Sequence, residues 1–341
     1  MKAIEITQPG VVRVIERPQP QVAAGEALLR VRRVGFCGTD LSTFRGRNPL
    51  VEYPRIPGHE VAATIEGFGP GATGPWQLGQ PVLIVPYAAC AACSACRAGR
   101  PNCCRNNRTL GVQRDGAMAE YFTAPLDKLL TSPRLTLPEL ALVEPLTVGF
   151  HAAARGRISA SDAVLIFGSG AIGLGAIAGA AARGARVIAV DVDDSKRSIA
   201  LACGAAHFIN SRTESLHDQL QELTAGHGPD VAIEAVGLPE TFVAAVEEVC
   251  FAGRVVYIGY SKAPVAFDTK HFILKELDIL GSRNALLEDF RAVLLRLESG
   301  AIPSATIITE TCDLAAAPDR LAAWDRTPGE FVKIQVSLDD D

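Results

Sequence analysis

Five of the nine cysteines lie within one short segment and are Cys90, Cys93, Cys96, Cys103 and Cys104. Four thiolates at such short spacing can close a tetrahedral zinc site that leaves no position open for a substrate. Cys103 and Cys104 compete for the fourth position. Because the first residues show no apolar export segment, we expect a reducing compartment, and therefore a structural zinc site rather than a disulfide framework.

A second set of possible zinc ligands is spread over the first half of the chain and comprises Cys37, His59, Glu60 and Glu144. A catalytic zinc ion needs three protein ligands and one exchangeable position. His59 is the only histidine among the first 150 residues. A single Cys or His is more often an ordinary core residue, and a single Glu is more often a surface charge. Their combination with the cysteine segment and with the glycine motif below favours a catalytic zinc site.

A glycine-rich turn follows the predicted strand Ala163–Phe167 and opens a helix of small residues. Gly168 permits a tight turn, Gly170 lets the backbone approach a pyrophosphate, and Gly173 lets the helix pack close to the sheet. Ile172 lies within the same turn. This pattern predicts a dinucleotide-binding site, with a glycine turn of some other α/β fold as the alternative.

Asp191 ends the next predicted strand, 23 positions after Gly168. A carboxylate there can accept hydrogen bonds from the adenosine ribose and would repel the extra phosphate of NADP, so the sequence predicts NAD. The alternative role for Asp191 is to cap the next helix. Arg197, and less favourably Lys196, could lie against the adenosine phosphate, although a solvated helix face explains both cations equally well.

The elements that must position these residues fall into two domains, because 341 residues are too many for one ordinary core. Residues 1–147 contain short β-type runs broken by Gly and Pro, which predicts an irregular β-barrel or sandwich. In residues 148–285, six apolar strands alternate with helices, which predicts an α/β domain with a doubly wound parallel sheet. Residues 286–341 are expected to return to the first domain.

The composition fits a soluble globular protein, with 48% hydrophobic and 21% charged residues. A net charge of −5 offers no basic surface for nucleic acid or for an anionic membrane. The apolar run at 168–182 is too short to span a bilayer. We therefore expect a cytoplasmic protein with no membrane or nucleic-acid partner.

Together the motifs resemble the zinc-dependent medium-chain alcohol dehydrogenase family, in its polyol, threonine and sugar-acid branch, and most of all its aldonate 5-dehydrogenases. They are Gly35–Asp40, Pro57–Glu60, the cysteine segment, Glu144–Leu146 and the glycine turn up to Asp191. The resemblance covers essentially the whole chain. It implies a GroES-like β-rich catalytic domain, a Rossmann NAD-binding domain, and a homodimer or homotetramer.

The same resemblance implies two zinc ions per chain. The family's cysteine spacing favours Cys104 over Cys103 as the fourth ligand of the structural ion. Cys37, His59 and a carboxylate would hold the catalytic ion. That carboxylate is either Glu60 or Glu144, the latter through a water molecule.

Further roles implied by the resemblance concern protons. Thr39 would take the proton of the substrate hydroxyl into a relay, and Asp40 would hold the imidazole of His59. Many relatives carry a histidine where this chain has Ser42. A serine hydroxyl can hydrogen-bond but holds no extra proton at neutral pH, so the proton is expected to leave through Ser42 and water or by another route.

The expected reaction is transfer of a hydride to NAD from a secondary hydroxyl of a polyol or a sugar acid, such as a hexonate. Arg283 follows the last strand of the parallel sheet, where it could pair with a substrate carboxylate, or could instead form a structural salt bridge or backbone contact. One alternative is an enzyme that resembles L-threonine 3-dehydrogenase or acts on another small alcohol. A non-enzymatic alternative is a catalytically silent structural or sensing relative.

Overall fold

The computed structural model describes residues 1–339. Asp340 and Asp341, the last two residues of the predicted C-terminal return, lie outside the described residues. The strands are β1 (Lys2–Gln8), β2 (Val11–Glu16), β3 (Glu26–Phe36), β4 (Glu60–Phe68), β5 (Pro81–Ile84), β6 (Tyr121–Pro125), β7 (Leu129–Leu130), β8 (Ala163–Phe167), β9 (Arg186–Asp191), β10 (His207–Asn210), β11 (Val231–Glu234), β12 (Arg254–Tyr257), β13 (Asp278–Gly281), β14 (Ile308–Asp313) and β15 (Lys333–Ser337).

The helices are α1 (Gly38–Phe44), α2 (Ser94–Arg97), α3 (Leu137–Arg155), α4 (Ala171–Ala181), α5 (Arg197–Ala202), α6 (Leu216–Leu223), α7 (Pro239–Glu248), α8 (Lys270–Leu274), α9 (Leu287–Glu298), α10 (Ser304–Ile307) and α11 (Ala317–Arg326). Short 3₁₀ turns cover Pro101–Cys103, Leu126–Lys128 and Asp194–Lys196. Among residues 1–339, no helix combines the length and the apolar character that crossing a membrane requires.

The first compact unit comprises Met1–Glu144 and the C-terminal residues from Ser304 onward. Its main sheet has the order β14-β15-β3-β4-β5-β7, and β6 also pairs with β3. Strand β3 pairs with β4 so that Gly35 faces Glu60, and it pairs with β15 so that Gly35 faces Gln335. The end of β3, the start of β4 and the C-terminal strand β15 therefore meet at one place.

The second compact unit, Pro145–Pro303, contains the predicted parallel sheet. Its six strands have the order β10-β9-β8-β11-β12-β13, and every neighbouring pair is parallel. This is the strand order of a doubly wound dinucleotide-binding fold, with the change of direction between β8 and β11. Continuous apolar strands explain the arrangement, since β8 is buried along its whole length.

Helix α9 lies in the second unit, although residues from 286 onward were expected to return to the first domain. Phe290, Val293 and Leu297 of α9 are buried. Asp289 at its start lies 2.9 Å from Nδ1 of His151, which belongs to the same unit. The helical period marks α9 in the sequence but does not tell which of two cores it covers. The return to the first unit begins at Ser304.

Candidate active site

Cys37 stands where strand β3 ends and helix α1 begins. Asp40, in the first turn of α1, accepts a hydrogen bond from the N–H of Cys37 at 2.8 Å and fixes the cysteine at the helix start. His59 directly precedes β4, and Glu60 is the first residue of β4. The pairing of Gly35 with Glu60 brings the two segments together. The ligand atoms of Cys37, His59 and Glu60 all lie within 4.8 Å of one another.

The carboxylate of Glu60 occupies the space that a side chain at position 35 would fill. A Cβ atom at Gly35 would lie 1.9 Å from Oε2 of Glu60. The C-terminal strand β15 supplies the partner of this carboxylate, since Nζ of Lys333 lies 2.6 and 2.7 Å from its two oxygens. The same ammonium group donates to the carbonyl of Phe36 at 3.0 Å. Lys333 and Glu60 are both buried, so the pair is shielded from water.

Burial and the neighbouring charges shift the pKa values of both Glu60 and Lys333. Burial raises the pKa of Glu60 to about 7, although the positive charge of Lys333 acts in the opposite direction. Burial lowers the pKa of Lys333, but the charges of Glu60 and Cys37 outweigh it, so the pKa lies above its ordinary value. Such perturbed groups cluster at functional sites.

Glu144 lies on helix α3 and is buried. Its Oε1 accepts a hydrogen bond from the hydroxyl of Tyr87. Glu144 is close enough to act electrostatically on His59, Glu60 and Tyr87. It is not a member of the compact group of ligand atoms, which among the described residues consists of Cys37, His59 and Glu60.

The residues present fit a zinc ion. A thiol, an imidazole and a carboxylate are the ligand types that zinc prefers. Nδ1 of His59 and Oδ1 of Asp40 are buried and have no hydrogen-bond partner within residues 1–339. Burial lowers the pKa of His59, but the negative charge of Cys37, with smaller effects of Asp40 and Glu144, raises it well above the ordinary value. The surroundings therefore attract a cation.

Thr39 and Ser42, the two predicted relay residues, both lie on α1. They are three positions apart and therefore on the same helix face. Oγ1 of Thr39 is 3.7 Å from the sulfur of Cys37. Ser42 is half-buried one turn later. The hydrogen bond of Asp40 goes to the backbone of Cys37, and burial raises the pKa of Asp40 against the effect of the nearby His59. The roles of all three residues stay predictions.

The cysteine segment gathers four sulfur atoms in one place: Cys90, Cys93, Cys96 and Cys104. The Sγ atoms of Cys104 and Cys90 are 3.4 Å apart, those of Cys93 and Cys96 3.5 Å, and those of Cys93 and Cys104 3.9 Å. A tetrahedral zinc with bonds of about 2.3 Å requires sulfur separations of about 3.8 Å. The geometry therefore suits one closed site.

The fifth cysteine of the segment, Cys103, lies outside this group, and its sulfur accepts a contact from Nη2 of Arg100 at 3.6 Å. Within the group, backbone N–H groups of Arg105 and Cys96 lower the pKa of Cys93 to about 6. A thiolate at neutral pH is the form that binds metal. The arrangement supports the choice of Cys104 over Cys103.

In the second unit, the glycine turn after β8 has the geometry that its motif predicts. Gly168 has a φ of +92°, and a Cβ atom at Gly173 would lie 1.9 Å from the carbonyl oxygen of Gly168. Nothing lies within 4 Å of a Cβ atom built on Gly170, so the backbone there is open to approach. Helix α4 begins at Ala171, and its free N–H groups can bind a phosphate. Ile172 is half-buried in its first turn.

Asp191 lies at the end of β9 beside this turn. Its carboxylate accepts hydrogen bonds from the N–H groups of Ser169 at 2.7 Å and of Val192 at 2.8 Å. Nζ of Lys196 lies 3.7 Å from the same carboxylate. Arg197 instead contacts Asp194, Glu214 and the ring and carbonyl of Phe208. Arg197 as a cofactor residue stays a prediction, and the geometry favours Lys196.

Two family models match the chain: the alcohol dehydrogenase GroES-like domain over residues 23–134, and the zinc-binding dehydrogenase domain over residues 171–299. The chain is 33% identical to L-galactonate-5-dehydrogenase of Escherichia coli K12 over 294 residues, which cover 86% of each protein. It is 30% identical to sorbitol dehydrogenase of Bacillus subtilis over 343 residues, 98% of this chain and 97% of the relative.

Among solved structures, the chain superposes on the alcohol dehydrogenase RspB of Escherichia coli CFT073, crystallised with NADH. The TM-score is 0.91, the identity is 30%, and 99% of each chain is covered. This chain belongs to the zinc-dependent medium-chain alcohol dehydrogenases, in the polyol branch. The predicted fold class, a GroES-like domain with a Rossmann domain, is confirmed.

Membership makes this dehydrogenase an oxidoreductase that uses zinc and a nicotinamide dinucleotide. The non-enzymatic alternative is therefore set aside. The four-sulfur group fits the structural zinc of such an enzyme.

Two residues of the dehydrogenase site, Lys333 and Tyr87, could not be predicted from the sequence. Lys333 lies 273 positions from Glu60, and Tyr87 lies 57 positions from Glu144. Neither stands in a motif with recognisable spacing. Only the pairing of β15 with β3, and the contact between the segment after β5 and α3, bring them to the site.

Proposed function

We propose that this dehydrogenase oxidises a secondary hydroxyl of a polyol or a sugar acid, such as a hexonate, with NAD as hydride acceptor. The observation that carries the proposal is the group of a half-buried Cys37 and the buried His59 and Glu60, whose ligand atoms lie within 4.8 Å of one another. Three ligands of these types leave one position of a zinc ion open to a substrate. Similarity to L-galactonate-5-dehydrogenase and sorbitol dehydrogenase supports the substrate class.

When bound, zinc supplies Lewis-acid catalysis by lowering the pKa of a hydroxyl group beside it. In this proposal Cys37, His59 and Glu60 hold the ion, and Glu144 is a further carboxylate at the site. Thr39 accepts a hydrogen bond from the substrate hydroxyl. Ser42, on the same face of α1, passes the proton on to water, since serine cannot retain it.

The second unit binds the dinucleotide in this proposal. The N–H groups at the start of α4, with Gly168, Gly170 and Gly173 around them, receive the pyrophosphate. Asp191 accepts hydrogen bonds from the adenosine ribose and excludes the phosphate of NADP. Nζ of Lys196 lies 3.7 Å from the Asp191 carboxylate, so its ammonium group can also contact the adenosine part of the dinucleotide.

Arg283 is the proposed partner of a substrate carboxylate. It is exposed and lies two residues after the end of β13, at the carboxyl edge of the parallel sheet where ligands of such folds bind. An Arg283→Met change should raise KM for aldonates and leave KM for neutral polyols unchanged. An equal effect on both classes would remove Arg283 from substrate recognition.

The test of the proposed function is NADH formation with a panel of polyols, aldonates and L-threonine, each with and without a zinc chelator. Chelator-sensitive oxidation of an aldonate or polyol supports the proposal. Activity confined to L-threonine would replace it with a threonine dehydrogenase. Silence across the panel from protein with two zinc ions per chain would refute the substrate class.

We further propose that the enzyme is a cytoplasmic homodimer or homotetramer. None of the nine cysteines, all of which lie in the described part of the chain, is joined in a disulfide, as is typical of a reducing compartment. Strand β13 is an exposed edge of the parallel sheet, and Ile273, Leu274 and Ile279 nearby are exposed. Exposed apolar edges of this kind invite pairing with another chain. Light scattering on the purified protein tests this proposal, and a monomer would refute it.

A further inference from the structure

Glu234, the last residue of strand β11, is a fully buried carboxylate that has no role in the proposed reaction. In the parallel sheet β11 lies between β8 and β12, and Glu234 pairs with Phe167 and Tyr257 at the carboxyl ends of these strands. Ligands of doubly wound sheets bind at this edge, where the strand order changes direction between β8 and β11. Because a buried carboxylate is costly unless hydrogen bonds satisfy it, the groups that Glu234 binds indicate its purpose.

One oxygen of Glu234 holds the segment that follows β11. Oε1 accepts hydrogen bonds from the N–H groups of Val236 at 2.8 Å and of Gly237 at 2.7 Å. Oγ1 of Thr241, in helix α7, lies 2.8 Å from the same oxygen. Hydrogen bonds to a charged acceptor are stronger than those between neutral groups. The carboxylate therefore determines the path of the backbone from Ala235 to Gly237.

The segment from Ala235 to Gly237 packs directly against the glycine turn after β8. The N–H of Ala235 donates to the carbonyl of Phe167 at 3.1 Å. A Cβ atom built on Gly168 would lie 2.9 Å from Cγ2 of Val236 and 3.5 Å from the carbonyl oxygen of Ala235. A shift of this segment toward β8 would therefore displace Gly168, and with it the N–H groups at the start of α4.

The glycine turn thus has a carboxylate on each side, and the two act differently. On the β9 side, Asp191 accepts a hydrogen bond from Ser169 of the turn itself at 2.7 Å. On the β11 side, Glu234 acts through Val236. The segment after β12 covers Glu234, since a Cβ atom at Gly259 would lie 2.4 Å from its Oε2. A carboxylate that is covered in this way can hold the turn in place but cannot contact the nucleotide.

We propose that Glu234 is a positioning residue for dinucleotide binding, which holds Val236 against Gly168 so that the glycine turn keeps its N–H groups directed at the pyrophosphate. This inference rests on the dinucleotide site proposed for the second unit. A turn that already has its binding conformation loses less conformational freedom when the ligand binds. Glu234 therefore increases the affinity for the dinucleotide and takes no part in hydride transfer.

The test is a Glu234→Gln variant of the zinc-loaded protein, with NADH binding followed by the fluorescence of the nucleotide. The amide keeps the size of the side chain but offers a neutral, weaker acceptor to Val236 and Gly237. We expect the Kd for NADH and the KM for NAD to rise about tenfold, while kcat at saturating NAD does not fall. Thr241→Val, which removes only the hydroxyl beside Oε1, should raise the Kd by a smaller factor.

Asp162→Asn is the matched control, because Asp162 is a buried carboxylate at the opposite edge of the same sheet. There it pairs with Arg254 and accepts a hydrogen bond from the N–H of Ser159 at 2.7 Å. The control should lower the melting temperature and leave the Kd for NADH unchanged.

A wild-type Kd for NADH in Glu234→Gln, or an equal rise in Asp162→Asn, would overturn the role of Glu234 alone. If Glu234→Gln does not fold, the Kd of Thr241→Val decides the question in the same way. Wild-type protein that binds no NADH would overturn the proposed dinucleotide site together with this inference.

Discussion

Nζ of Lys333 lies 2.6 and 2.7 Å from the two carboxylate oxygens of Glu60, although 273 residues separate the two in sequence. Both side chains are buried, so the ammonium group compensates a charge that water cannot reach. The C-terminal strand β15 thus fixes a proposed zinc ligand on β4. The return of the chain to the first unit has a role in the site as well as in the core.

Lys333→Met should destabilise the protein strongly, because it leaves the Glu60 carboxylate buried without its partner. Breaking a buried pair costs about 3–5 kcal/mol. The free energy of unfolding at pH 8, measured with denaturant, checks this. Lys270→Met is the control, because Lys270 pairs with Asp268 on the exposed surface and its loss should have little effect. Equal small effects of the two changes would show that the buried pair contributes little.

The raised pKa of Glu60 predicts a pH dependence of stability in protein stripped of its catalytic metal. The pKa is about 7 in the fold against an ordinary value of 4.5, so the fold favours the protonated carboxyl. The stability that the protonated Glu60 carboxyl contributes is therefore fully present below pH 4.5 and is lost as pH rises through about 7. The free energy of unfolding of the wild type, relative to Glu60→Gln, should decrease over this window. An increase would contradict the assigned direction.

The strands of the parallel sheet could be predicted from sequence because their signals are local. β8 has the predicted bounds, since it is a continuous apolar run of five residues. Cys37, His59 and Glu60 were predicted as candidates from residue type and motif. Their convergence depends on the pairing of Gly35 with Glu60, and that pairing is not readable from composition or periodicity.

Other features depend on long-range packing and were not predicted. Local spacing could not show that Lys196, rather than Arg197, lies beside Asp191, because the choice depends on how Arg197 stacks on Phe208 of the neighbouring strand. Tyr87 gave no signal, since a single tyrosine is ordinarily read as a core residue. The unit to which α9 belongs could not be predicted, because it depends on which of the two cores the apolar face of α9 covers.

Cys93→Ser should remove the structural zinc ion and lower the melting temperature, because three thiolates cannot close the tetrahedral site. Metal analysis and thermal unfolding measure this. Cys250→Ser is a suitable control, since Cys250 is a partly exposed thiol outside the four-sulfur group. Unchanged zinc content and melting temperature in Cys93→Ser would refute the four-cysteine site.

Asp191→Ala should narrow the preference for NAD over NADP by about tenfold or more, a change of about 1.4 kcal/mol. The carboxylate that repels the extra phosphate is then gone, while Lys196 remains to attract it. Affinity for both cofactors should also fall, because Asp191 holds the N–H of Ser169 in the glycine turn. The ratio of kcat/KM for the two cofactors checks this. Asp194→Ala, on the exposed side of Arg197, should leave the ratio unchanged.

The most direct test of the account is the zinc content of wild-type and Cys37→Ser protein, measured alongside NADH formation with an aldonate or polyol. Cys37 is a ligand only of the proposed catalytic ion, so its loss should leave the four-cysteine site intact. We expect two zinc ions per chain and turnover in the wild type. We expect one zinc ion, no turnover and an unchanged melting temperature in the variant. A variant that keeps two zinc ions and normal turnover would contradict the catalytic site proposed for this dehydrogenase.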